Sequence, residues 1–282
     1  VAPRIVERGE GPPLVLVPGI QGRFEWGLPT LHALAGLGRV ITYSLADEPT
    51  SGFAWQASKG FENYLDQLDD VIRSTGAEHP VLVGISYGGL IAAEYAARHP
   101  GAVRGLVVAS SPPPAWTLPS RAQRYLAAPM LLAPVFWLGA PVRAYPELKA
   151  AIPDGRARLQ FVIDHGLRIA GAPASSARMV RRLRWLESAR FSADRPLALP
   201  ALVVTGEPDL ERVVPPDATR QYLQWLPEAR LVTLERTGHA GTITRSREFA
   251  DRVGAWLLDL PDGNRPAGPR SSPESVRADR VS

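Results

Sequence analysis

Short apolar runs and stretches of helical spacing alternate through the first third of the chain. Leu14-Val15-Leu16-Val17 lies between Pro12-Pro13 and Pro18-Gly19, and an apolar run of that length bounded by proline and glycine suits a buried strand. Leu28, Leu31, Leu34, Ala35 and Leu37 then recur at helical spacing, and Val40-Ile41-Thr42-Tyr43 is β-branched and aromatic, as a second strand would be. Tyr64, Leu65, Leu68, Val71 and Ile72 line one face of a helix that stops at Gly76. Val81-Leu82-Val83 gives a third strand, residues 90–98 a helix closed by Pro100, and Leu106-Val107-Val108 a fourth strand.

The rhythm breaks at about Pro112. Residues 112–196 hold helical pieces, many prolines and Trp116, Trp137 and Trp185, but no convincing strand. It resumes with Ala201-Leu202-Val203-Val204, a helix near residues 222–226, Leu231-Val232-Thr233-Leu234, and a last helix over 249–258. Such alternation predicts an α/β domain, doubly wound around a mostly parallel sheet. Residues 1–111 and 197–260 would form that core, and 112–196 a helical insertion. Residues 261–282, rich in Pro, Arg, Ser and Asp, are expected to be a disordered tail.

Composition narrows this picture in three ways. The chain has 282 residues, enough for one large core, and its 45% hydrophobic and 21% charged content is ordinary for a globular protein. Cysteine is absent, which excludes disulfides, thiolate metal sites and a cysteine nucleophile. The net charge of +4 carries no lysine-rich arm or aromatic ladder, so no nucleic-acid partner is expected. The most apolar stretch, 127–142, is short and broken by Pro129, Pro134 and Pro141, so no membrane-spanning segment is expected. No positively charged start followed by an apolar run opens the chain, and cytoplasm is the default location. A leader ahead of Val1 stays open.

The strongest chemical signal is Gly84-Ile85-Ser86-Tyr87-Gly88, followed by Gly89, where a predicted strand gives way to a helix. A serine on that sharp turn takes a strained backbone, and small residues on either side avoid collision. With 25 glycines the bare pattern can arise by chance; its strand–turn–helix setting gives it weight.

A serine hydroxyl needs a base. Of five histidines, His239 lies in Thr237-Gly238-His239-Ala240-Gly241, directly after a predicted strand, where a loop can deliver it to the sheet's carboxyl edge. His79 and His99 each precede a proline at the opposite edge, His32 sits inside a helical pattern and His165 in the insertion, so all four read as structural. The base in turn needs a carboxylate. The loop Thr205-Gly206-Glu207-Pro208-Asp209-Leu210-Glu211 offers Asp209 as first choice and Glu211 as rival, with Glu207 expected to turn outward. No histidine pair has metal-ligand spacing, and neither a metal nor an organic cofactor is implied.

With these residues in place, the chain resembles the α/β-hydrolase superfamily over residues 1–260, the insertion excepted. The resemblance makes Ser86 the nucleophile and His239 the base. Its acid usually follows the glycine of a G-x-x-D segment, which gives Asp209, but also usually stands four residues before a proline, which gives Glu211 ahead of Pro215. The resemblance further implies an oxyanion hole from the amides of Tyr87 and of Ile20, in Pro18-Gly19-Ile20-Gln21-Gly22, with Gln21 facing the substrate. The insertion resembles the family's cap. It carries thirteen arginines and lysines against five acids, which either draws an acidic substrate or an anionic surface or reflects exposed arginine-rich faces. The apolar run 130–138, Trp137 included, either lines an acyl pocket or forms the cap's own core, and core is the favoured reading; Gln21 and Trp137 are the candidate substrate contacts.

The function expected is therefore a serine esterase acting on a small or medium molecule. Hydrolysis of a C–C, lactone or amide bond, or acyl transfer, would use the same residues. Epoxide and haloalkane hydrolysis are disfavoured because relatives with those activities carry aspartate where Ser86 stands. A ligand receptor retaining a slow triad is the competing reading from another class, and oligomeric state is left open.

Overall fold

The computed structural model describes residues 5–114, 116–188 and 196–260; the expected tail, 261–282, lies outside them. Seven strands form one sheet: β1 Ile5–Arg8, β2 Pro13–Val17, β3 Arg39–Tyr43, β4 Val81–Ile85, β5 Gly105–Ala109, β6 Ala201–Thr205 and β7 Ala229–Thr233. Their order is β1-β3-β2-β4-β5-β6-β7, and every neighbouring pair is parallel except β1 with β3.

Four central strands are sealed on both faces, which is why their sequences are continuously apolar. The strand period of two sends Val15, Val17, Leu82, Leu106, Val108 and Val203 into one core layer, beside α2 (Glu62–Ser74) and α3 (Tyr87–Arg98). Leu14, Leu16, Val81, Val83, Val107, Leu202 and Val204 enter the other layer. There Leu31 and Leu34 of α1 (Leu28–Leu34) meet Phe249, Val253 and Trp256 of α11 (Ser246–Leu258). Each such side chain contributes roughly 1.5–3 kcal/mol by leaving water.

Four helices fill the interval between β5 and β6: α4 Ser120–Ala127, α5 Pro129–Ala151, α6 Gly155–Gly171 and α7 Ser176–Ser188. Short helices α8 Pro216–Arg220, α9 Tyr222–Trp225 and α10 Gly241–Thr244 complete the chain order. Among the described residues no helix is long and apolar enough to cross a membrane.

β1 is a strand that the apolar pattern did not predict: it carries no apolar run, and only Ile5 and Val6 are half-buried, because it pairs on one edge alone. Two expectations are corrected. β7 begins two residues earlier than the apolar pattern indicated, at Ala229. In the run 130–138, Leu131 and Leu138 are exposed rather than core. The apolar residues of α5 surround the whole helix, and only one side can face the domain.

Strand order reverses at β2. From β2 the chain steps outward to β3, then returns to the other side of β2 as β4. At such a switch point the loops after two adjacent strands diverge and leave a crevice at the sheet's carboxyl edge. The loops after β2 and β4 carry Gly19-Ile20-Gln21 and Ser86.

Candidate functional site

Ser86 follows β4 at φ 53° and ψ −121°, in the left-handed half of backbone space that L-residues avoid. The strain is held by close packing around it. A side chain at Gly88 would put its Cβ 2.2 Å from the Val17 carbonyl oxygen, and one at Gly84 would lie 2.4 Å from the Cα of Gly89. The Ser86 amide donates to the Ala109 carbonyl at 2.8 Å and its carbonyl accepts from the Gly89 amide at 2.9 Å. The turn therefore has one conformation, which lifts the hydroxyl to the amino end of α3. Tyr87 opens that helix, so its amide is one of the first-turn donors without an intrahelical partner. The Gly19-Ile20 loop lies alongside: a Cβ on Gly19 would be 3.5 Å from that of Ser86.

His239 follows β7 and presents Nε2 at 3.1 Å from Ser86 Oγ. Its Nδ1 is 3.3 Å from the carboxylate of Glu211. Glu211 also accepts from the amides of Val213, at 2.8 Å, and Val214, at 3.0 Å. Burial alone would raise its pKa, but the charge and hydrogen bond of His239 and these two amides hold it below the ordinary glutamate value. An ionised carboxylate only accepts, so Nδ1 carries the proton and Nε2 is left to accept from the serine hydroxyl. Burial pulls the His239 imidazole down, and the Glu211 charge and hydrogen bond outweigh it, so its pKa sits above the usual histidine value.

Between the two candidate acids the geometry is unambiguous. Glu211 is buried against His239, whereas Asp209, the first choice from the sequence, is exposed two residues earlier and makes no contact with the imidazole. The Glu211 amide hydrogen-bonds to the Glu207 carbonyl at 2.9 Å, forming a helix-like turn that swings Glu211 inward and Asp209 outward. Glu207 does turn to the surface, capping the Arg236 amide.

Ser86 and His239 open onto a cavity of about 170 Å³ lined also by Gln21, Arg23, Trp26, His165, Thr242 and Ile243. Of the two expected substrate contacts, Gln21 lines it. Trp137 does not; it stands behind Trp26, ring centres 6.2 Å apart, and donates to Ser176 Oγ. Trp26, His165 and Thr242 are cavity residues that sequence reasoning missed. Trp26 lies only five residues beyond Gln21, and following that loop further would have reached it. His165 sits on a helix joined to the site only by the fold.

The insertion also touches the loops around the site from α7 and α5. Arg182 of α7, fully buried, donates to the Ile20 carbonyl at 2.6 Å and to Glu48 at 2.7 Å, and pairs with Asp47. Arg178 and Arg181 join the same two acids. Three of the insertion's arginines are thus paired with the core instead of forming a free basic surface. From α5, buried Glu147 lies beside the backbone of Gly238 and Ala240 and adds a smaller upward push on His239; burial raises its own pKa.

Such a line, hydroxyl to imidazole to carboxylate, can pass a proton from serine while it attacks a carbonyl. Comparison with known proteins agrees with the architecture. A protein of Serratia proteamaculans named a carbamate hydrolase, RutD, is 28% identical over 251 residues, covering 88% of this chain and 91% of that protein. A 2-(acetamidomethylene)succinate hydrolase of Mesorhizobium japonicum is 28% identical over 251 residues, covering 80% of this chain and 87% of that protein. The esterase EaEST of Exiguobacterium antarcticum shares the fold, with TM-score 0.72 at 18% identity, over 90% of this chain and 95% of that one. Residues 14–252 match the model of the alpha/beta hydrolase family, and the chain belongs to that family.

Proposed function

We propose that the protein is a serine hydrolase that cleaves a small ester-type substrate through an acyl-enzyme on Ser86. Ser86 Oγ attacks the substrate carbonyl as His239 Nε2 takes its proton, and Glu211 stabilises the resulting imidazolium. The amides of Ile20 and Tyr87 hold the developing oxyanion. The imidazolium then protonates the leaving alcohol, which departs. Water attacks the acyl-enzyme with His239 again as base, and the acid leaves with Ser86 restored. The helical insertion serves as the cap. A cavity of about 170 Å³, below the ~300–1,000 Å³ of drug-sized pockets, favours a small acyl group.

The observation that carries this reading is the line from Ser86 Oγ through His239 to Glu211, at 3.1 and 3.3 Å, opening into that cavity. A second reading, cleavage of a carbamate or amide C–N bond by the same residues, is favoured by the names of the two relatives. Turnover of p-nitrophenyl esters of rising acyl length, against p-nitroanilides of the same acids, decides between them. Serine-dependent release from short esters is expected. Release of p-nitroaniline from the anilides alone moves the assignment to C–N cleavage, and no release from either by a folded protein overturns both.

A further inference from the structure

The cavity contains more polar chemistry than acyl transfer uses, and most of it is already satisfied. Arg23 is held by Glu25 through two hydrogen bonds, at 3.2 and 2.7 Å. Thr42 Oγ1 donates to the Leu16 carbonyl, and the Trp26 indole N–H to the Ala172 carbonyl. Two atoms stand apart. His165 Nδ1 and Thr242 Oγ1 are both buried without a hydrogen-bond partner, and both residues line the cavity that holds Ser86 and His239. Buried polar atoms are partnered in the great majority of cases, so two orphans around one cavity point to a group brought in by the ligand.

The His165 ring is fixed from two sides. It stacks on Phe161, with centres 5.5 Å apart and planes at 15°, and meets Trp26 edge to face at 6.4 Å. Burial, then Arg168, lowers its pKa, so at neutral pH it is an uncharged imidazole with one N–H and one lone pair. With Arg23 neutralised by Glu25, the cavity presents no free cation to bind a carboxylate. His165 and Thr242, both uncharged, suit an uncharged oxygen.

We propose that His165, with Thr242, is the substrate-recognising pair of this site, selecting a small acyl group that bears an uncharged oxygen acceptor, such as an ether, hydroxyl or carbonyl. The proposal rests on the serine-hydrolase reading for its turnover assay, but not for its binding assay. For turnover, p-nitrophenyl methoxyacetate and p-nitrophenyl butyrate differ only by oxygen in place of one methylene. The ratio of their kcat/KM values is compared between wild type and variants, which cancels the intrinsic reactivity of each ester. His165→Phe should lower the methoxyacetate-to-butyrate ratio about three- to ten-fold, the worth of a neutral hydrogen bond. Thr242→Val should lower it in the same direction, and His165→Gln, which keeps a donor, should restore part of it. An unchanged ratio in both His165→Phe and Thr242→Val overturns the proposal, and would be the result if the two atoms merely hold a water.

For binding, Ser86→Ala protein is titrated with methoxyacetamide and with butyramide while the imidazole nitrogens of His165 are followed by NMR. Tighter binding of methoxyacetamide, with a shift at His165, is expected. Equal affinities or an unmoved His165 signal overturn the proposal even if every ester is hydrolysed. Absence of ester turnover with this binding preference intact overturns the ester-hydrolase reading and leaves the recognition pair standing.

Discussion

The loops that carry Ser86 and Glu211 both leave the carboxyl end of a parallel strand, and they hold their side chains by different means. After β4 the serine is placed by exclusion: Gly84 and Gly88 let backbone approach backbone at distances no Cβ tolerates, and one conformation survives. After β6 the glutamate is placed by attraction. Its carboxylate gathers the Val213 and Val214 amides and the His239 ring, and its amide hangs from the Glu207 carbonyl. Exclusion fixes geometry without regard to charge. Attraction fixes geometry and protonation together, which is why the second loop also sets the pKa of the base.

The sharpest way to break the comparison is at the serine. Ser86→Ala should reduce kcat by at least about 10⁴-fold, with an unchanged thermal midpoint because the packing of the turn does not involve the hydroxyl. Full activity in a folded Ser86→Ala protein would remove the loop from the chemistry altogether.

Glu211→Gln tests the attractive loop. Loss of the carboxylate should lower kcat by about 10³–10⁴-fold and change the pH profile in a definite direction. Activity requires neutral His239, so it falls as pH drops through the His239 pKa, which the Glu211 charge holds above the ordinary histidine value against burial. Without that charge, burial dominates and the acidic limb should move to lower pH. Glu147→Gln should move the same limb in the same direction by less, since Glu147 exerts the smaller pull. An acidic limb that stays fixed in Glu211→Gln would mean that another group holds the imidazole.

The contact between the insertion and the Gly19-Ile20 loop gives a smaller effect. Arg182→Leu leaves Asp47 and Glu48 buried with fewer partners, costing about 3–5 kcal/mol of stability. It also frees the Ile20 carbonyl, and a displacement of the neighbouring amide by an ångström should lower kcat by up to about 10²-fold. Chemical denaturation and steady-state kinetics at low temperature read the two separately. Smallest of all, Asp209→Asn should change kcat by no more than about twofold, as expected of an exposed side chain without partners. A loss there approaching that of Glu211→Gln would reverse the assignment of the two loops.

The difference between the loops also explains what could be read from the chain. Gly84, Ser86 and Gly88 are legible because steric exclusion acts between neighbours in sequence. The four central strands are legible for a related reason, since burial on both faces leaves an unbroken apolar run such as Leu106-Val107-Val108. Glu211 against Asp209 is not legible, because the choice depends on a single turn from Glu207 to Glu211 and on where His239 arrives from 28 residues away. β1 escaped for want of a second neighbour, and His165 and Glu147 because only the folding of the insertion onto the sheet brings them to the site.

The central claim, that Ser86 is a nucleophile activated by His239 and Glu211, is tested most directly by covalent trapping. The protein is incubated with diethyl p-nitrophenyl phosphate, a serine-directed phosphorylating agent, and its intact mass and peptide map are measured. The account predicts a single diethylphosphoryl adduct on the peptide containing Ser86, formed quickly in wild type, far more slowly in Glu211→Gln, and not at all in Ser86→Ala. No adduct in wild type, or an adduct that persists in Ser86→Ala, would contradict it.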